Sequence, residues 1–394
     1  MSRLTDQTDA VRQRRIAVVT GTRAEFGLLR PIMRRIHDNP ALELQLIATG
    51  MHLSPEFGRT TGEIRASGLP IADEIEILVS SDTGVGTAKS IGLAISGLAD
   101  SFRRLAPDLV LVLGDRFEIF AAGAAATAMG IPLAHLCGGE QTDGAVDQVW
   151  RACLTKMAHL HLVAAEQFGV VVRGMGEEAR RVRVVGSPGL ENLLQAPPVD
   201  RVALGASIGI ELRAPVVSVS FHPVTRPIAG EGTPEEQVDE LLAALASVPA
   251  TYVITFANAD AGGRVINRRL SEFAAEHTNA VAVPSLGVDR YIALLSLADA
   301  AVGNSSSGLI ETPSFELPVV NIGTRQGGRP RAANVIDVPP TTSAIAHGLR
   351  RALDPTFRAG LRGVVNPYGD GQTSGRVIAA IHEWLANPDL LVKR

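Results

Sequence analysis

A chain of 394 residues, 46% hydrophobic and 20% charged, has room for two domains of ordinary size that each bury a core. Its net charge of -4 leaves no electrostatic footprint for nucleic acid or for an anionic membrane surface, so an anionic ligand needs a local site. Two cysteines, Cys137 and Cys153, are too few for a disulfide framework and are expected to be free thiols in a reducing compartment.

Residues 1–14 are polar and charged, with no apolar core of the signal-peptide kind, and read as a disordered lead-in. Short β-branched runs then alternate with helical patterns, giving expected strands at 15–20, 44–48, 109–113, 132–136, 161–164 and 182–185. Uninterrupted apolar strands separated by helices argue for a parallel sheet covered on both faces. The stretch GLENLLQAPPVDRVALGASIGIELRAP breaks the rhythm with prolines and no clear strand, which puts a domain boundary near 190–213. The pattern resumes with strands at 216–221, 252–255, 280–283, 300–303 and 319–322, and helices such as 234–247 and 307–315. The expected organisation is an α/β chain with a first Rossmann-like domain over 15–195, a second over 196–373, and a C-terminal helix in 374–394 packing back on the first. Two such units in tandem make a cleft at the carboxyl ends of their strands, the usual place for a ligand in open α/β sheets. No apolar stretch approaches the roughly 20 residues that cross a bilayer, so the chain is expected to be cytoplasmic with no membrane contact.

The first strand runs into TGTRAEFGLL, where a Gly-containing turn and a helix start present free amides and Arg23 adds a cationic fork for a phosphate. There is no G-x-G-x-x-G or P-loop pattern, and an ordinary βα turn with Arg23 paired to Glu25 is the plainer account. LGDRFE places Asp115 at the end of a buried strand, a position for chemistry or for an N-cap, with Glu118 one turn on serving the helix dipole. HLCGGEQTDGAVDQVWR then sets Glu140, Asp143 and Asp147 on a Gly-rich loop. Carboxylates gathered in a partly dry site raise one another's pKa and can hold or take a proton, whereas an exposed acidic loop with Asp147 capping a helix does nothing. No His/Cys/Asp spacing supports a metal. VSVSFHPVT ends a strand at His222, suited to a phosphate or a sugar hydroxyl. In AVGNSSSGLIETPSF a strand, a small-residue turn of Ser305, Ser306, Ser307 and Gly308, and a helix suit a diphosphate, with Glu311 placed to accept ribose hydroxyls. A serine N-cap with a capping-box acid needs fewer serines than these.

Taken together, VTGTRAEFGLLRP, LGDRFE, GGEQTDGAVDQVWRACLTKMAHLHLVAAE, VVGSPGL, SFHPVT, GNSSSGLIETPSF and NIGTRQGGRPRAANVIDV, in order from residue 19 to about 338, resemble the UDP-N-acetylglucosamine 2-epimerase family. The likeness is strongest to its hydrolysing branch, which feeds sialic and legionaminic acid pathways. The resemblance implies a two-domain fold like that of GT-B glycosyltransferases, a nucleotide-sugar partner, a homodimer and no redox cofactor. It assigns UDP to Arg23, His222, Ser305 to Ser307 with Gly308, and Glu311, and proton chemistry to Asp115, Glu140 and Asp147 with Arg151 as a supporting cation. Arg325, Gln326 and Arg329 belong to a further matching stretch. The implied reaction removes the C2 proton with loss of UDP to a glycal, then adds water with inversion at C2. Gln148 stands where the family generally has a second acid, Ala152 where it has His, and Cys137 where some relatives carry Glu. The alternatives in view are a non-hydrolysing epimerase, a GT-B glycosyltransferase, and a UDP-sugar-binding protein that has lost turnover.

Overall fold

The computed structural model describes residues 12–79, 83–140, 147–195, 199–224, 232–257 and 263–393. They form two compact units, each a parallel α/β sheet. The first draws on residues up to 140, from 147 to 188 and from 372 onward; the second runs from 189 to 371.

The first unit holds β1 (Arg14–Thr20), β2 (Leu42–Thr49), β3 (Ile71–Ile75), β4 (Leu109–Leu113), β5 (Leu133–Leu136), β6 (Leu160–Val163) and β7 (Val182–Val184), in the spatial order β3-β2-β1-β4-β5-β6-β7. Its helices are α1 (Arg23–His37), α2 (Thr61–Ala66), α3 (Gly84–Leu105), α4 (Phe117–Ala128), α5 (Asp147–Met157) and α6 (Glu166–Gly174). α7 (Pro188–Gln195) follows at the junction of the two units. The second unit holds α8 (Arg201–Ile208), β8 (Val216–Ser220), α9 (Pro234–Ala246), β9 (Thr251–Thr255), α10 (Gly263–Glu276), β10 (Ala280–Val283) and α11 (Gly287–Leu297). It continues through β11 (Ala300–Gly303), α12 (Ser307–Ile310), β12 (Val319–Ile322), β13 (Val335–Val338), α13 (Thr342–Leu353) and α14 (Pro355–Ala359), with sheet order β10-β9-β8-β11-β12-β13. The expected α/β class and parallel pairing hold throughout both sheets. In each, the strand order reverses once, between β1 and β4 and between β8 and β11, and these switch points are where a doubly wound sheet opens to ligands.

The elements follow from local chemistry. β1 and β4 are buried along nearly their whole length because helices cover both faces. α1 opens on the Thr22 cap, whose Oγ1 accepts from the Glu25 amide at 3.2 Å, and buries Phe26, Leu29, Ile32, Met33 and Ile36 at helical spacing. α15 (Thr373–Leu385) packs Val377, Ile381 and Trp384 into the same core, and Arg35 Nε donates to Ser374 Oγ at 2.5 Å. α9 carries a full capping box between Thr233 and Glu236.

Three expectations need correction. The ordered chain reaches into the supposed lead-in: Arg14 opens β1, and Arg12 and Arg14 both pair with Asp108; residues 1–11 lie outside the described set. The helix expected over 307–315 is a four-residue α12 followed by a 3-10 turn, Thr312–Phe315, because Pro313 has no amide to donate. β3 and β13 were not anticipated at all. Among the described residues no helix is long and apolar enough to cross a membrane, and both cysteines are free thiols.

Candidate active site

The first unit gathers acidic side chains where β4 and β5 end. Gly114 closes β4 in the left-handed region, φ 79°, and Asp115 follows it. Arg116, not Asp115, is the N-cap of α4, so Asp115 is not a capping residue. Arg151 on α5 donates from Nε to Asp115 Oδ2 at 3.1 Å and again from Nη2, while its Nη1 lies 3.5 Å from Glu140 Oε2. Only 9% of the Arg151 side chain is exposed, so this is a shielded charge cluster and not a surface ion pair. A planar fork with five donors can hold two carboxylates at once in a fixed geometry. Asp147, four residues before Arg151 and first in α5, shares that helix face. Burial pushes the Asp147 carboxyl up and the Asp115 charge pushes it further, against Arg116 and Arg151. It therefore keeps its proton to higher pH than a surface aspartate. Asp143 lies outside the described residues.

Two further side chains support this cluster: His135, which sequence reasoning passed over, and Cys137, to which it gave no role in the site. His135, fully buried on β5, has Nε2 2.8 Å from the Gly114 carbonyl and Nδ1 3.4 Å from Thr155 Oγ1 on α5. A carbonyl only accepts, so Nε2 carries the proton, and burial lowers the ring to about 3 and keeps it neutral. It thus ties the Asp115 turn to the helix that carries Arg151. Cys137 sits at φ 65° with its thiol hydrogen-bonded to the Glu140 side chain, and burial raises that thiol well above its ordinary value.

Beside the cluster, at the β1/β4 switch point, lie Glu25 and Glu118. Glu118 is fully buried and accepts from Arg116 Nε at 2.6 Å, so it does not serve α4 as an exposed dipole acid. Glu25 does not pair with Arg23: it accepts from the Gly21 amide at 2.7 Å, and burial together with the Glu118 charge raises it to about 8. Arg23 is 73% exposed and pairs with Glu63 at 2.9 Å. A signal for the buried pair was present: each glutamate stands five positions after the last residue of its strand, Thr20 or Leu113.

In the second unit the serine turn follows β11. Gly303 is required there, since φ is 143° and a Cβ would fall 1.9 Å from the Ser220 carbonyl oxygen. Asn304, fully buried, accepts from the His222 amide at 2.7 Å and donates to the His222 carbonyl at 2.8 Å. Its own carbonyl accepts from Arg325 at 3.0 Å and Gln326 at 2.8 Å. Asn304 thereby fixes His222 beside Ser305 to Ser307, and neither its part nor that of Arg325 and Gln326 was read from pattern. Ser307 Oγ donates to Glu311 Oε2 at 2.5 Å and also meets the Tyr291 hydroxyl. Burial raises Glu311 against that hydrogen bond. Ser305, Ser306, Ser307, Gly308 and Glu311 are all half-buried.

Residues 34–382 match the family described as UDP-N-acetylglucosamine 2-epimerase. The chain belongs to that family. It is 38% identical over 327 residues to the GDP/UDP-N,N'-diacetylbacillosamine 2-epimerase (hydrolyzing) of Campylobacter jejuni, covering 82% of this chain and 84% of that one. It is 36% identical to the UDP-N,N'-diacetylbacillosamine 2-epimerase (hydrolyzing) of Legionella pneumophila, covering 92% and 94%. Kinship is thus with the hydrolysing branch, as the motifs indicated. The crystal structure of the Neisseria meningitidis UDP-GlcNAc 2-epimerase bound to UDP-GlcNAc shares the fold, with TM-score 0.74, 17% identity and coverage of 94% and 100%.

Proposed function

We propose that this family member is a hydrolysing 2-epimerase acting on a UDP-linked 2-acetamido sugar, either UDP-N-acetylglucosamine or a 2,4-diacetamido-6-deoxy analogue. The observation that carries this reading is the gathering of Asp115, Glu140 and Asp147 around Arg151. The names of the Campylobacter and Legionella relatives support the diacetamido substrate.

The first stage begins when an ionised carboxylate, Asp115 or Glu140, removes the proton at C2. The C–H electron pair becomes the C1–C2 double bond of a glycal, and the C1–O bond breaks with its pair leaving on UDP. Water then adds its oxygen to C1 and gives up a proton, while C2 receives one from the opposite face. Sugar nucleotide plus water thus becomes UDP plus the free 2-epimer, with no net redox change. C2 is a weak acid, so the step depends on a placed base and on stabilising the departing diphosphate. Asp147, which holds its proton to raised pH, suits the reprotonation. Ser305, Ser306, Ser307, Gly308 and His222 are assigned to the diphosphate, Glu311 to the ribose hydroxyls, and Arg23 to a phosphate oxygen. The reading extends to a cytoplasmic homodimer, and sedimentation returning only monomer would remove that last part.

Proton NMR with each nucleotide sugar in deuterated buffer tests the activity. The expected spectrum shows free UDP and a manno-configured sugar labelled at C2. Nucleotide sugar recovered intact and unlabelled would end the proposal, and labelled but still UDP-linked epimer would move it to the non-hydrolysing reaction.

A further inference from the structure

The proposed proton chemistry uses neither Glu25 nor Glu118, yet these two buried carboxyls crowd one backbone position at the β1/β4 switch point. Gly21 donates its amide to Glu25 Oε2, and a Cβ placed on Gly21 would fall 2.4 Å from Glu118 Oε1. Each carboxyl has one occupied oxygen, Glu25 Oε2 by Gly21 and Glu118 Oε1 by Arg116 Nε at 2.6 Å. The other oxygens, Glu25 Oε1 and Glu118 Oε2, are buried without a hydrogen-bond partner among the described residues.

Two ionised carboxylates here would place two negative charges against one guanidinium and leave two dry acceptors unsatisfied, a costly arrangement. One proton removes both faults: a carboxyl O–H donates to the neighbouring carboxylate, and the remaining single charge is matched by Arg116. We propose that Glu25 and Glu118 share one proton between their unpaired oxygens, and that the resulting monoanion positions Arg116 against Asp147 and holds the β1–α1 turn. The pair then acts through Arg116 and does not touch substrate. The positioning half of this inference rests on the proton chemistry assigned to Asp147 above; the shared proton itself does not.

The groups facing the pair agree with it. From α4 come Glu118 and Arg116, and from the turn the amides of Gly21 and Thr22. Asp147 on α5 faces Arg116. His52, hydrogen-bonded through Nε2 to Thr20 Oγ1 at 3.1 Å, is lowered to about 4 by burial and adds no positive charge near neutral pH. Glu25, raised to about 8, is the member that carries the proton. Its ionisation above that pH places like charges side by side and disturbs the Gly21 turn and Arg116 together.

Glu25→Gln is the deciding variant, because its amide donates to Glu118 as the protonated acid does but cannot ionise. An infrared difference spectrum of wild type minus Glu25→Gln at pH 7 is expected to contain a carboxylic-acid carbonyl band that titrates away on the alkaline side. In the pH profile of kcat/KM for UDP release, Glu25→Gln is expected to stay within about threefold of wild type at pH 7 and to move the alkaline limb up by about one pH unit or more. Glu118→Gln, which takes the counter-charge from Arg116, is expected to lower kcat/KM at every pH. A difference spectrum without the acid band, or an unchanged alkaline limb in a natively folded Glu25→Gln, overturns the proposal. Wild type that releases no UDP would sink the activity reading instead, and the infrared spectrum, which needs no substrate, would still decide the shared proton.

Discussion

Cys137 occupies the left-handed region at φ 65°, where an L-residue costs about 1–2 kcal/mol and glycine costs far less. Strain of this kind persists where the surroundings gain from it, and here the thiol meets the side chain of Glu140. Comparing Cys137→Gly with Cys137→Ala isolates the backbone term, since both lack the thiol. The glycine variant is expected to be more stable than the alanine variant by about 1 kcal/mol in urea unfolding; equal midpoints would show no strain to relieve. The same loop illustrates what was legible from residues alone. Asp115 is legible as an acid at the end of a buried strand, whereas Glu140 and Asp147 fit an exposed acidic loop until the family resemblance is added and Arg151 is named by that resemblance alone; the structure does gather all four. The plain readings of Glu25 as a partner for Arg23 and of Glu118 as a dipole-serving acid both fail, because an exposed glutamate and a buried one differ little in local sequence beyond their shared spacing from the strand end. Only the packing of α1 and α4 on the sheet, which puts both side chains in the dry interior, separates the two.

Among the elements, every inner strand is legible from pattern, as are two edge strands, β7 and β10, whereas the other two edges, β3 and β13, are not. β3, IADEI, alternates half-buried and exposed positions, and β13, VIDV, carries an exposed Asp337, so neither offers the apolar run that marks an inner parallel strand. The C-terminal tail is another element with no readable signature. Arg181, 2% exposed, donates to the carbonyls of Asp389 at 3.3 Å, Val392 at 2.7 Å and Leu390. Glu177, also buried, accepts from Lys393 at 2.8 Å, Lys156 at 2.7 Å and His161 at 3.1 Å. Deleting residues 387–394 removes the three tail carbonyls that Arg181 bonds and leaves Glu177 without Lys393, so the loss exceeds that of a surface ion pair. The truncated chain is expected to lose about 3–5 kcal/mol from the first unit, read as a lower thermal midpoint. A midpoint within a degree of the full chain would mean the tail is only draped over these charges.

For the whole molecule, the first unit has an acid limit built from buried histidines. His52, His135 and His161 are held by burial at about 4, 3 and 4, below the ordinary 6.5. His135 and His161 are register partners on β5 and β6, so protonating both sets like charges side by side in the sheet. The unfolded chain binds protons below pH 6.5 that the folded unit refuses, so this stability is complete above 6.5 and is lost as pH falls toward 4. Glu25 works the other way. Raised from 4.5 to about 8, it costs stability as pH rises through that window. Three histidine protons oppose one carboxyl proton below pH 6, so the histidines win there; above 6.5 Glu25 acts alone among these four, which places their joint optimum near 6.5. Trp150 and Trp384, the only two tryptophans in the chain, both belong to the first unit, so their fluorescence in urea follows it separately from the second. His135→Gln keeps a donor for the Gly114 carbonyl but removes one titrating ring. Between pH 6 and 4.5 the stability of this variant is expected to fall less steeply than wild type, by about 1.4 kcal/mol per pH unit, the slope of one proton. Parallel slopes for the two proteins would mean that His135 accepts its proton in the folded state, and the neutral ring joining Gly114 to α5 would have to be abandoned.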